Sequence, residues 1–466
     1  MKKRKMIFSV KTLSGLFAIA LLGFSCQMQP ETDTVEHMVS TVSHPEWSKN
    51  AVMYEVNVRQ FTPEGTFNAF AEHLPRLKEL GVDILWFMPV TPIGEVERKG
   101  TLGSYYSVKD YTGINPEFGT KEDFQNLVNQ IHEMGMYVII DWVANHTAWD
   151  HPWTQTNPEF FYTDEDGNFT PPHNTDWSDV IQLDYTNHDL WDAMIAEMRY
   201  WLEEVNIDGF RCDVAYLVPT EFWNRARREL EGVKPVFMLA EADHPELMEH
   251  AFNAGYSWVS HHAMNRIAQG EDDVSALDNY FFEENQGNYP IGTYKINFIS
   301  NHDENSWAGT VFDRLGDGME AMAVLANTVP GMFLLYNGQE AALDKMLEFF
   351  EKDEIDWSDL KYQEFYQTLF QLKKDNRALW NGLAGGPIER VHTNDDKSIF
   401  AFTREKEGDK VFVVLNLSAT AKTVNFNNGN FSGRYTELFE KTEVEITETF
   451  SLDMEPWTYR LYYKTS

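Results

Sequence analysis

The feature that most constrains the fold is an alternation of short apolar runs with longer helical patterns between residues 47 and 383. Eight runs have the length and composition of buried strands: 51–58, 82–90, 136–143, 208–215, 235–242, 256–262, 294–300 and 331–337. The segments between them have helical periodicity, and one places Leu190, Met194 and Met198 on a single face. Strands that alternate with helices form parallel sheets, and eight of them predict a closed (β/α)8 barrel. An open doubly wound sheet is the alternative, although no Gly-rich phosphate loop follows the first run.

Two parts of the chain depart from this alternation. Residues 145–186, after the third predicted strand, are rich in Pro, Asn, Asp and aromatic residues and have no helical period. A loop of that length in a compact domain is usually functional, and we expect an inserted domain at about 147–182. From 384 to 466, strand and turn patterns replace helices. The predicted fold is therefore an α/β TIM barrel (47–383) with this insertion and a C-terminal antiparallel β-sandwich.

The N-terminus resembles a bacterial lipoprotein signal. A basic start, "MKKRK", precedes the apolar stretch "LSGLFAIALLGFSC", which ends at Cys26 and is too short to remain as a membrane span. We expect residues 1–25 to be removed, Cys26 to be lipidated and the polar residues 27–46 to form a tether. An ordinary secretory signal cut nearby is the alternative. The lipid anchor predicts an envelope protein on the periplasmic or outer-membrane surface of a Gram-negative-type bacterium.

The charge of the chain excludes two classes of partner. The formal net charge is −35 over 466 residues, which argues against nucleic acid or an anionic lipid surface as a binding partner. We therefore expect contact with the membrane only through the anchor. Cys212 is the only other cysteine, so no disulfide framework is expected.

The stretch "GFRCDVA" places two charges in a run that otherwise has the pattern of a buried strand. Arg211 and Asp213 are two residues apart, so they share one face of the strand, while Phe210 and Cys212 take the other. Charges are rarely buried unless they are paired or used in function. A structural salt bridge is the simpler interpretation of this stretch alone.

Further polar side chains stand at the ends of other predicted strands, listed as Asp141, Asn145, His146, Glu241, His302 and Asp303. In a (β/α)8 barrel, chemistry gathers at the carboxyl ends of the strands. Together with Asp213, these residues would place several carboxylates around one cavity. Carboxylates that lie so close to each other raise the pKa of at least one of them. Such an arrangement costs free energy and is expected only where the raised pKa serves a function. Glycoside cleavage uses such an arrangement, because it needs one ionised and one protonated carboxyl group.

The order and spacing of these motifs resemble the alpha-amylase superfamily, glycoside hydrolase family 13. The motifs are "DWVANH", "GFRCDVA", "AEA" and "SNHD", with "QLDYTN" as a fifth. The resemblance covers nearly everything from Trp47 to Ser466, and the barrel, the insertion and the C-terminal part resemble the family's domains A, B and C.

The resemblance implies roles for the charged residues. Asp213 would be the nucleophile, and Glu241 the general acid and then the general base. Asp303 would hold the sugar hydroxyls and favour the distorted ring of the transition state. Arg211 would keep Asp213 ionised by lowering its pKa.

The resemblance also implies substrate-binding residues. His146 and His302 would donate to sugar hydroxyls, with Asp141 as a further binding residue. "GSYYSVKDY" makes Tyr106 the expected stacking platform under the sugar, with Tyr105 as the alternative. Candidate outer platforms, for which core or loop packing is the simpler alternative, are Trp149, Phe161, Trp177 and Trp307.

The chemistry implied by the resemblance requires no cofactor. The resemblance leaves open whether a structural calcium ion binds at the junction of domains A and B. Asn145 and Asp184 would be ligands, with Asp164 and Asp166 as further oxygen donors. No His follows Asp213 in "VAYLVP", and the Lys-His pair of many alpha-amylases is missing there too.

The predicted function is that of a retaining hydrolase of α-1,4 bonds in starch-like glucans or maltodextrins. A cyclomaltodextrinase, neopullulanase or α-glucosidase specificity with some transglycosylation is the alternative. Two hypotheses come from other classes: a non-catalytic glucan-binding lipoprotein, and an unrelated barrel enzyme of the aldolase or enolase type.

Overall fold

The computed structural model describes residues 39–284 and 289–466, with the backbone alone for residues 283 and 284. The predicted signal peptide, Cys26 and most of the predicted tether lie outside these residues. The strands are β1 (Met53–Val56), β2 (Ile84–Phe87), β3 (Tyr137–Trp142), β4 (His146–Ala148), β5 (Val180–Gln182), β6 (Gly209–Cys212), β7 (Phe237–Ala240), β8 (Ala254–Tyr256), β9 (Tyr294–Asn297), β10 (Met332–Tyr336), β11 (Ile388–Arg390), β12 (His392–Thr393), β13 (Ile399–Lys406), β14 (Asp409–Asn416), β15 (Lys422–Asn428), β16 (Gly433–Glu437), β17 (Glu443–Ile446), β18 (Ser451–Met454) and β19 (Tyr459–Lys464).

The helices are α1 (Val58–Phe61), α2 (Phe67–Ala71), α3 (Leu74–Leu80), α4 (Lys121–Glu133), α5 (Trp153–Thr156), α6 (His188–Tyr200), α7 (Thr220–Glu231), α8 (Trp258–Ala268), α9 (Ser275–Asp278), α10 (Val311–Leu315), α11 (Met319–Thr328) and α12 (Gln363–Asp375). Local signals set several of their ends. Thr120 and Asp123 form a reciprocal capping box at the start of α4, and Gly81 ends α3 in the left-handed conformation.

Eight parallel strands close into a barrel in the order β1-β10-β9-β8-β7-β6-β3-β2, which confirms the predicted fold class. Their side chains alternate between two cores. Ile84 and Trp86 of β2 lie in the cluster inside the barrel, whereas Leu85 and Phe87 pack in the cluster against the helices. Only glycine fits at position 209, the first residue of β6. A Cβ atom there would lie 1.8 Å from the Phe237 carbonyl oxygen of β7.

The sixth barrel strand differs from its prediction. We expect a strand over 256–262, but β8 spans Ala254–Tyr256 and the following residues open α8. The buried positions of α8 include Ala263, Met264 and Ile267, which is helical rather than alternating spacing.

Residues 39–46, predicted as part of a tether, instead pack across the amino-terminal ends of the barrel strands. Val39 bridges to Ile291, and His44 stacks on Tyr294, the first residue of β9, with ring centroids 4.0 Å apart. Trp47 then stacks on Tyr137, the first residue of β3, also at 4.0 Å. These aromatic contacts close the end of the barrel opposite to the strand ends that carry the predicted site.

The C-terminal part forms two antiparallel sheets, with strand orders β11-β13-β14-β19-β16-β17 and β12-β15-β18. Successive side chains of β14 pack into two different hydrophobic cores. Phe412 and Val414 face the smaller sheet, whereas Val411 and Val413 join the cluster shared with the barrel helices. Both faces of the larger sheet are therefore buried.

Arg404 of β13 connects this sheet to the barrel. Its side chain is buried and donates to the Thr328 and Val329 carbonyl oxygens at 2.9 and 3.0 Å, where α11 ends. It also donates to the Gly386 and Trp380 carbonyl oxygens at 2.9 and 3.1 Å. The guanidinium thus satisfies helix-end carbonyl groups that have no partner within the helix.

Among the described residues, no helix combines the length and the apolar character that crossing a bilayer requires.

We predict that Arg404→Met lowers the free energy of unfolding by roughly 2–4 kcal/mol, because four buried carbonyl oxygens lose a charged donor. Urea unfolding measures the change. The matched control is Arg434→Met, whose exposed side chain pairs only with Glu445 at 3.3 Å and is expected to change stability by less than about 0.5 kcal/mol. Equal effects of both substitutions would contradict a bridging role for Arg404.

Candidate active site

The carboxyl ends of the barrel strands open into one cavity of about 590 Å³. Asp213 directly follows β6, Glu241 directly follows β7, and Asp303 lies in the segment after β9. All three carboxyl side chains line the cavity, together with His146 and His302. The volume falls in the range of small-molecule sites. Residues that are far apart in sequence thus meet at the edge where barrel enzymes place their chemistry.

Arg211 lies at the floor of the cavity and contacts three carboxyl groups. Its Nη1 donates to Asp141 Oδ1 at 2.8 Å and to Asp213 Oδ1 at 2.9 Å, and its Nη2 lies 2.9 Å from Glu241 Oε1. The guanidinium is fully buried and lies over the Trp86 ring at 5.1 Å. The side chain therefore points into the barrel on the face shared with Asp213, as the spacing in "GFRCDVA" predicts.

Acids outnumber cations around Arg211. Two cations, Arg211 and His302, contact five carboxyl groups. These belong to Glu55, Asp141, Asp213, Glu241 and Asp303. Full ionisation would leave an excess of negative charge among largely buried groups, so the site favours holding at least one proton.

Burial is the largest influence on the two central carboxyl groups. It raises the pKa of Asp213 to about 7, against the opposing effect of Arg211. Burial likewise raises the pKa of Glu241 to about 7, helped by the charges of Asp213 and Asp303 and opposed by Arg211. Arg211 thus lowers the pKa of Asp213 as the resemblance implies, but burial outweighs it. The pair can hold one proton between them near neutral pH.

The backbone after Asp213 is strained. Val214 has φ 36° and ψ 46°, a left-handed conformation that is an outlier for a β-branched residue. Its N–H donates to Glu241 Oε2 at 2.7 Å. Residues held in such conformations cluster at active sites. The turn therefore fixes the second oxygen of Glu241 while Arg211 contacts the first.

His302 is held by an acid that sequence reasoning did not identify. Glu55 of β1 is fully buried, and its Oε1 lies 2.5 Å from His302 Nδ1. On the other side of the ring, Nε2 lies 2.9 Å from the Tyr106 hydroxyl and 3.3 Å from Asp303 Oδ2. Burial alone lowers the pKa of His302, but the charges of Asp303 and Glu55 outweigh it and raise the pKa to about 9. The imidazole is therefore a cation at neutral pH.

A signal for Glu55 exists in the sequence. It is the single charged residue in the apolar run "AVMYEVNV", and a lone charge in a buried strand indicates a paired or functional side chain, as it does for Arg211.

His146 contributes a different protonation state. It is buried at the end of the barrel next to Trp177, with ring centroids 5.4 Å apart, and burial lowers its pKa to about 3. It is therefore neutral at ordinary pH and supplies a hydrogen-bonding group without a charge.

The aromatic residues divide into platforms and core. Tyr106 lines the cavity and lies parallel to Phe349, with a centroid distance of 6.3 Å, whereas Tyr105 is buried beneath Arg59. Of the outer candidates, Trp177 and Trp307 line the cavity, but Trp149 and Phe161 do not. Further lining residues that the sequence did not indicate include Lys99, Asp176, Asp179, Phe349 and Phe350.

The predicted calcium ligands do not fit a metal site. Asn145 Oδ1 accepts from Gln182 Nε2 at 3.0 Å, and Asp184 Oδ1 accepts from the Thr186 hydroxyl at 2.7 Å. Asp164 Oδ1 accepts from backbone N–H groups of its own turn. Within residues 39–284 and 289–466, no group of three or more His, Cys, Asp or Glu side chains could hold a metal ion.

We predict that Glu55→Gln lowers the pKa of His302, because the amide keeps an acceptor for Nδ1 but removes a negative charge. The charged groups facing His302 are then Asp303, Asp141 and Arg211. The imidazolium persists below its pKa and is lost as the pH rises through it, so the variant loses the cation at a lower pH than the wild type. NMR titration with ¹⁵N-labelled histidine measures the shift.

The matched control for this titration is Glu340→Gln. Glu340 is another buried glutamate, but it pairs with Arg76 and Tyr54 and does not line the cavity. Its substitution is expected to leave the His302 titration unchanged. An unshifted His302 pKa in Glu55→Gln would contradict the assigned coupling.

Comparisons with known proteins agree with this geometry. A family profile described as alpha amylase, catalytic domain, matches residues 36–411, and one described as maltogenic amylase, C-terminal domain, matches residues 388–461. The chain is 27% identical to "Alpha-amylase 3" of Dictyoglomus thermophilum over 456 residues, which covers 82% of this chain and 87% of that protein.

Two solved structures share the fold. A noncanonic maltogenic alpha-amylase from Thermotoga neapolitana has a TM-score of 0.81 and 29% identity, over 90% of this chain and 99% of that one. An alpha-amylase from Lactobacillus plantarum has a TM-score of 0.79 and 30% identity, over 90% and 100% of the two chains. With the catalytic-domain profile spanning most of its length, this chain belongs to the alpha-amylase family of glycoside hydrolases.

Proposed function

We propose that this protein is a retaining hydrolase that cleaves α-1,4-glucosidic bonds of starch-like glucans or maltodextrins. The observation that carries the proposal is the placement of Asp213 and Glu241 on either side of one guanidinium, each within 2.9 Å of Arg211, with Asp303 in the same cavity. Two carboxyl groups held this close suit a double displacement, in which no water molecule has to fit between nucleophile and sugar.

In the first step, Asp213 attacks the anomeric carbon. The bond from that carbon to the glycosidic oxygen breaks, and Glu241 gives its proton to the departing oxygen. This step needs Asp213 ionised and Glu241 protonated. Both carboxyl groups contact Arg211 and have raised pKa values, which is compatible with one proton held between them. Asp213 Oδ1 accepts the direct hydrogen bond from Arg211.

In the second step, Glu241 takes a proton from water, and the water oxygen attacks the anomeric carbon. The bond to Asp213 breaks, which restores the carboxylate and gives net retention. A sugar hydroxyl can replace the water in this step, and transglycosylation follows the same path.

The remaining groups would bind the sugar ring that reacts. Asp303 is the most exposed of the three acids, with a side-chain exposure of 37%, and suits hydroxyl recognition rather than attack. The His302 cation and the neutral His146 supply hydrogen bonds, and the Tyr106 ring supplies an apolar surface. Asp141 fixes Tyr106 by accepting from its hydroxyl at 3.0 Å.

A cyclomaltodextrinase, neopullulanase or α-glucosidase specificity is the alternative within this proposal. The maltogenic type of the C-terminal profile supports small maltooligosaccharides as products of this chain. The missing Lys-His pair after Asp213 leaves room for these alternatives.

We also propose that the mature protein is an envelope lipoprotein on the periplasmic or outer-membrane surface. The basic and apolar segments that precede Cys26 support this, and mass spectrometry of the N-terminal peptide tests it.

We predict that Asp213→Asn lowers kcat on maltooligosaccharides by about 10⁴-fold or more, because the amide cannot form the glycosyl ester. Reducing-sugar release measures the loss, and circular dichroism checks the fold. Asp317→Asn, an exposed position outside the cavity, is the control and should retain full activity. Labelling by a 5-fluoroglycosyl fluoride, followed by peptide mass spectrometry, identifies the nucleophile. A label on another residue, or an active Asp213→Asn, would overturn the assignment.

We predict cleavage of maltoheptaose, with the products from pullulan and cyclodextrin defining the specificity class.

A chelator such as EDTA should leave the rates unchanged, because the amide and carboxylate oxygens of Asn145 and Asp184 are already engaged by Gln182 and Thr186. Chromatography of products with and without EDTA measures both points. Loss of activity in EDTA that calcium restores would contradict this reading of Asn145 and Asp184, and a wild type inactive on all three glucans would favour a non-catalytic binding role.

A further inference from the structure

The segment after β9 carries two neighbouring acids whose side chains have different surroundings. Asp303 lines the cavity, and within the described part of the chain its carboxylate has one ion-pair contact, with His302 Nε2 at 3.3 Å. Glu304 does not line the cavity, and its side chain is 14% exposed and lies against α8 and α10. Because Asp303 has so few contacts of its own, the position of its carboxylate depends on the backbone that carries it.

Glu304 lies between two basic side chains. Its Oε2 is 3.0 Å from His261 Nε2 of α8 and 3.4 Å from Arg314 Nη1 of α10. The His261 ring is buried and stacks on Phe298 with centroids 4.5 Å apart, and its Nε2 is also 3.0 Å from Asn265 Nδ2. The carboxylate therefore connects the segment that carries Asp303 to two helices outside the barrel.

Arg314 contacts the same segment before and after Asp303. Its Nη2 donates to the Ile299 carbonyl oxygen at 2.8 Å, and its Nε donates to the Gly309 carbonyl oxygen at 3.1 Å. The side chain is 5% exposed, so it needs a compensating carboxylate, and Glu304 supplies one between these two contacts. Burial raises the pKa of Glu304, but His261 and Arg314 outweigh burial and hold that pKa below its ordinary value.

The backbone of this segment has an unusual conformation that begins at Glu304. Residues Glu304–Ala308 form one turn of π-helix, a rare conformation that is frequent at functional sites. The Glu304 N–H donates to Asn301 Oδ1 at 2.8 Å, which fixes the start of the turn. Both the backbone and the side chain of Glu304 are therefore held, and Asp303 directly precedes it.

We infer that Glu304, held by His261 and Arg314, is a positioning residue that sets where the Asp303 carboxylate stands in the cavity. The inference rests on the proposed function, in which Asp303 recognises hydroxyls of the reacting sugar. Glu304 itself lies outside the cavity, so it acts on the reaction only through its neighbour. A displacement of about 1 Å caused by a distant substitution can lower a rate by roughly 10²-fold, so such a brace can matter for catalysis.

Two substitutions of Glu304 test the inference. Glu304→Ala is expected to lower kcat on maltotriose by roughly 10²-fold and to change KM by less than about threefold, because contacts that strengthen in the transition state affect kcat. Glu304→Gln keeps the length of the side chain and an acceptor oxygen, and is expected to lower kcat by only about tenfold. Reducing-sugar release measures both parameters.

A double-mutant cycle tests whether Glu304 acts through Asp303. If it does, Asp303→Asn combined with Glu304→Ala is expected to be within about twofold of Asp303→Asn alone. Fluoride release from α-maltosyl fluoride measures these rates, because the activated leaving group keeps weak variants measurable. Losses that multiply in the double variant would show that Glu304 acts independently of Asp303.

The titration of His302 gives a readout that a general loss of stability would not change. Burial lowers the pKa of His302, and the charges of Asp303 and Glu55 raise it. The other ionisable groups that face the ring are Tyr106, Asp141 and Arg211. A displaced Asp303 carboxylate raises this pKa less, so Glu304→Ala is expected to lose the imidazolium at a lower pH than the wild type. Glu304→Gln also lacks the Glu304 charge, so a smaller shift in that variant reports position rather than charge.

Glu340→Ala and Glu340→Gln are the matched controls. Glu340 is also a buried glutamate that pairs with an arginine, Arg76 at 2.9 Å, and it does not line the cavity. Its substitution is expected to lower stability but to leave kcat and the His302 titration unchanged. If Glu304→Ala fails to fold, Glu304→Gln and His261→Gln serve, and each is expected to lower both kcat and the pKa of His302.

The outcomes distinguish the two proposals. A wild type that releases neither fluoride nor reducing sugar contradicts the proposed function. An active wild type whose Glu304 variants keep kcat and the His302 titration, or whose losses multiply with that of Asp303→Asn, overturns the positioning role and leaves the proposed function in place.

Discussion

The fold and the site both depend on one buried cation. Arg211 is fully buried inside the barrel, and the Trp86 and Tyr256 rings lie 5.1 and 6.0 Å from its guanidinium carbon. A guanidinium in such surroundings is stable only if carboxylates compensate it, and Asp141, Asp213 and Glu241 do so. The ion pairs therefore fix the three acids at the top of the apolar core, and removing Arg211 would leave their charges uncompensated there.

This shared cation also explains why the acids can differ in function although their pKa values are shifted in the same direction. Burial raises the pKa of both Asp213 and Glu241, and neither is isolated from the other. The surroundings, not the intrinsic acidities, separate the roles. Asp213 receives the direct guanidinium hydrogen bond, whereas Glu241 accepts from the Val214 N–H.

Much of this arrangement follows from the sequence because two simple periodicities encode it. Strand alternation puts Arg211 and Asp213 on one face, and the repetition of strand and helix brings Glu241 and Asp303 to the same end of the barrel. Glu55 obeys the same rule, but its role cannot be recognised from its own segment, because a single acid in a strand has no partner there. Its partner, His302, lies 247 residues away.

Other features lie beyond such reasoning for physical reasons. Phe349 and Phe350 follow β10 in an irregular loop, where no periodicity tells which side chains face the cavity. The packing of residues 39–46 depends on stacking with Tyr294, a contact between segments that carry no matching pattern. The family resemblance implies Asn145 and Asp184 as calcium ligands, but it does not show that hydrogen bonds from Gln182 and Thr186 engage their oxygens.

The contacts of His44 and Trp47 at the amino-terminal ends of the strands have a geometric consequence. The chain enters the catalytic domain at its closed floor, whereas the mouth of the cavity opens at the opposite pole. An attachment through residues 39–46 would hold the enzyme at the barrel end opposite to the cavity. Bulky branched polymers could then reach the cavity without steric interference from the surface to which the enzyme is attached. Immobilisation through the same side should preserve access to the cleft for the same reason.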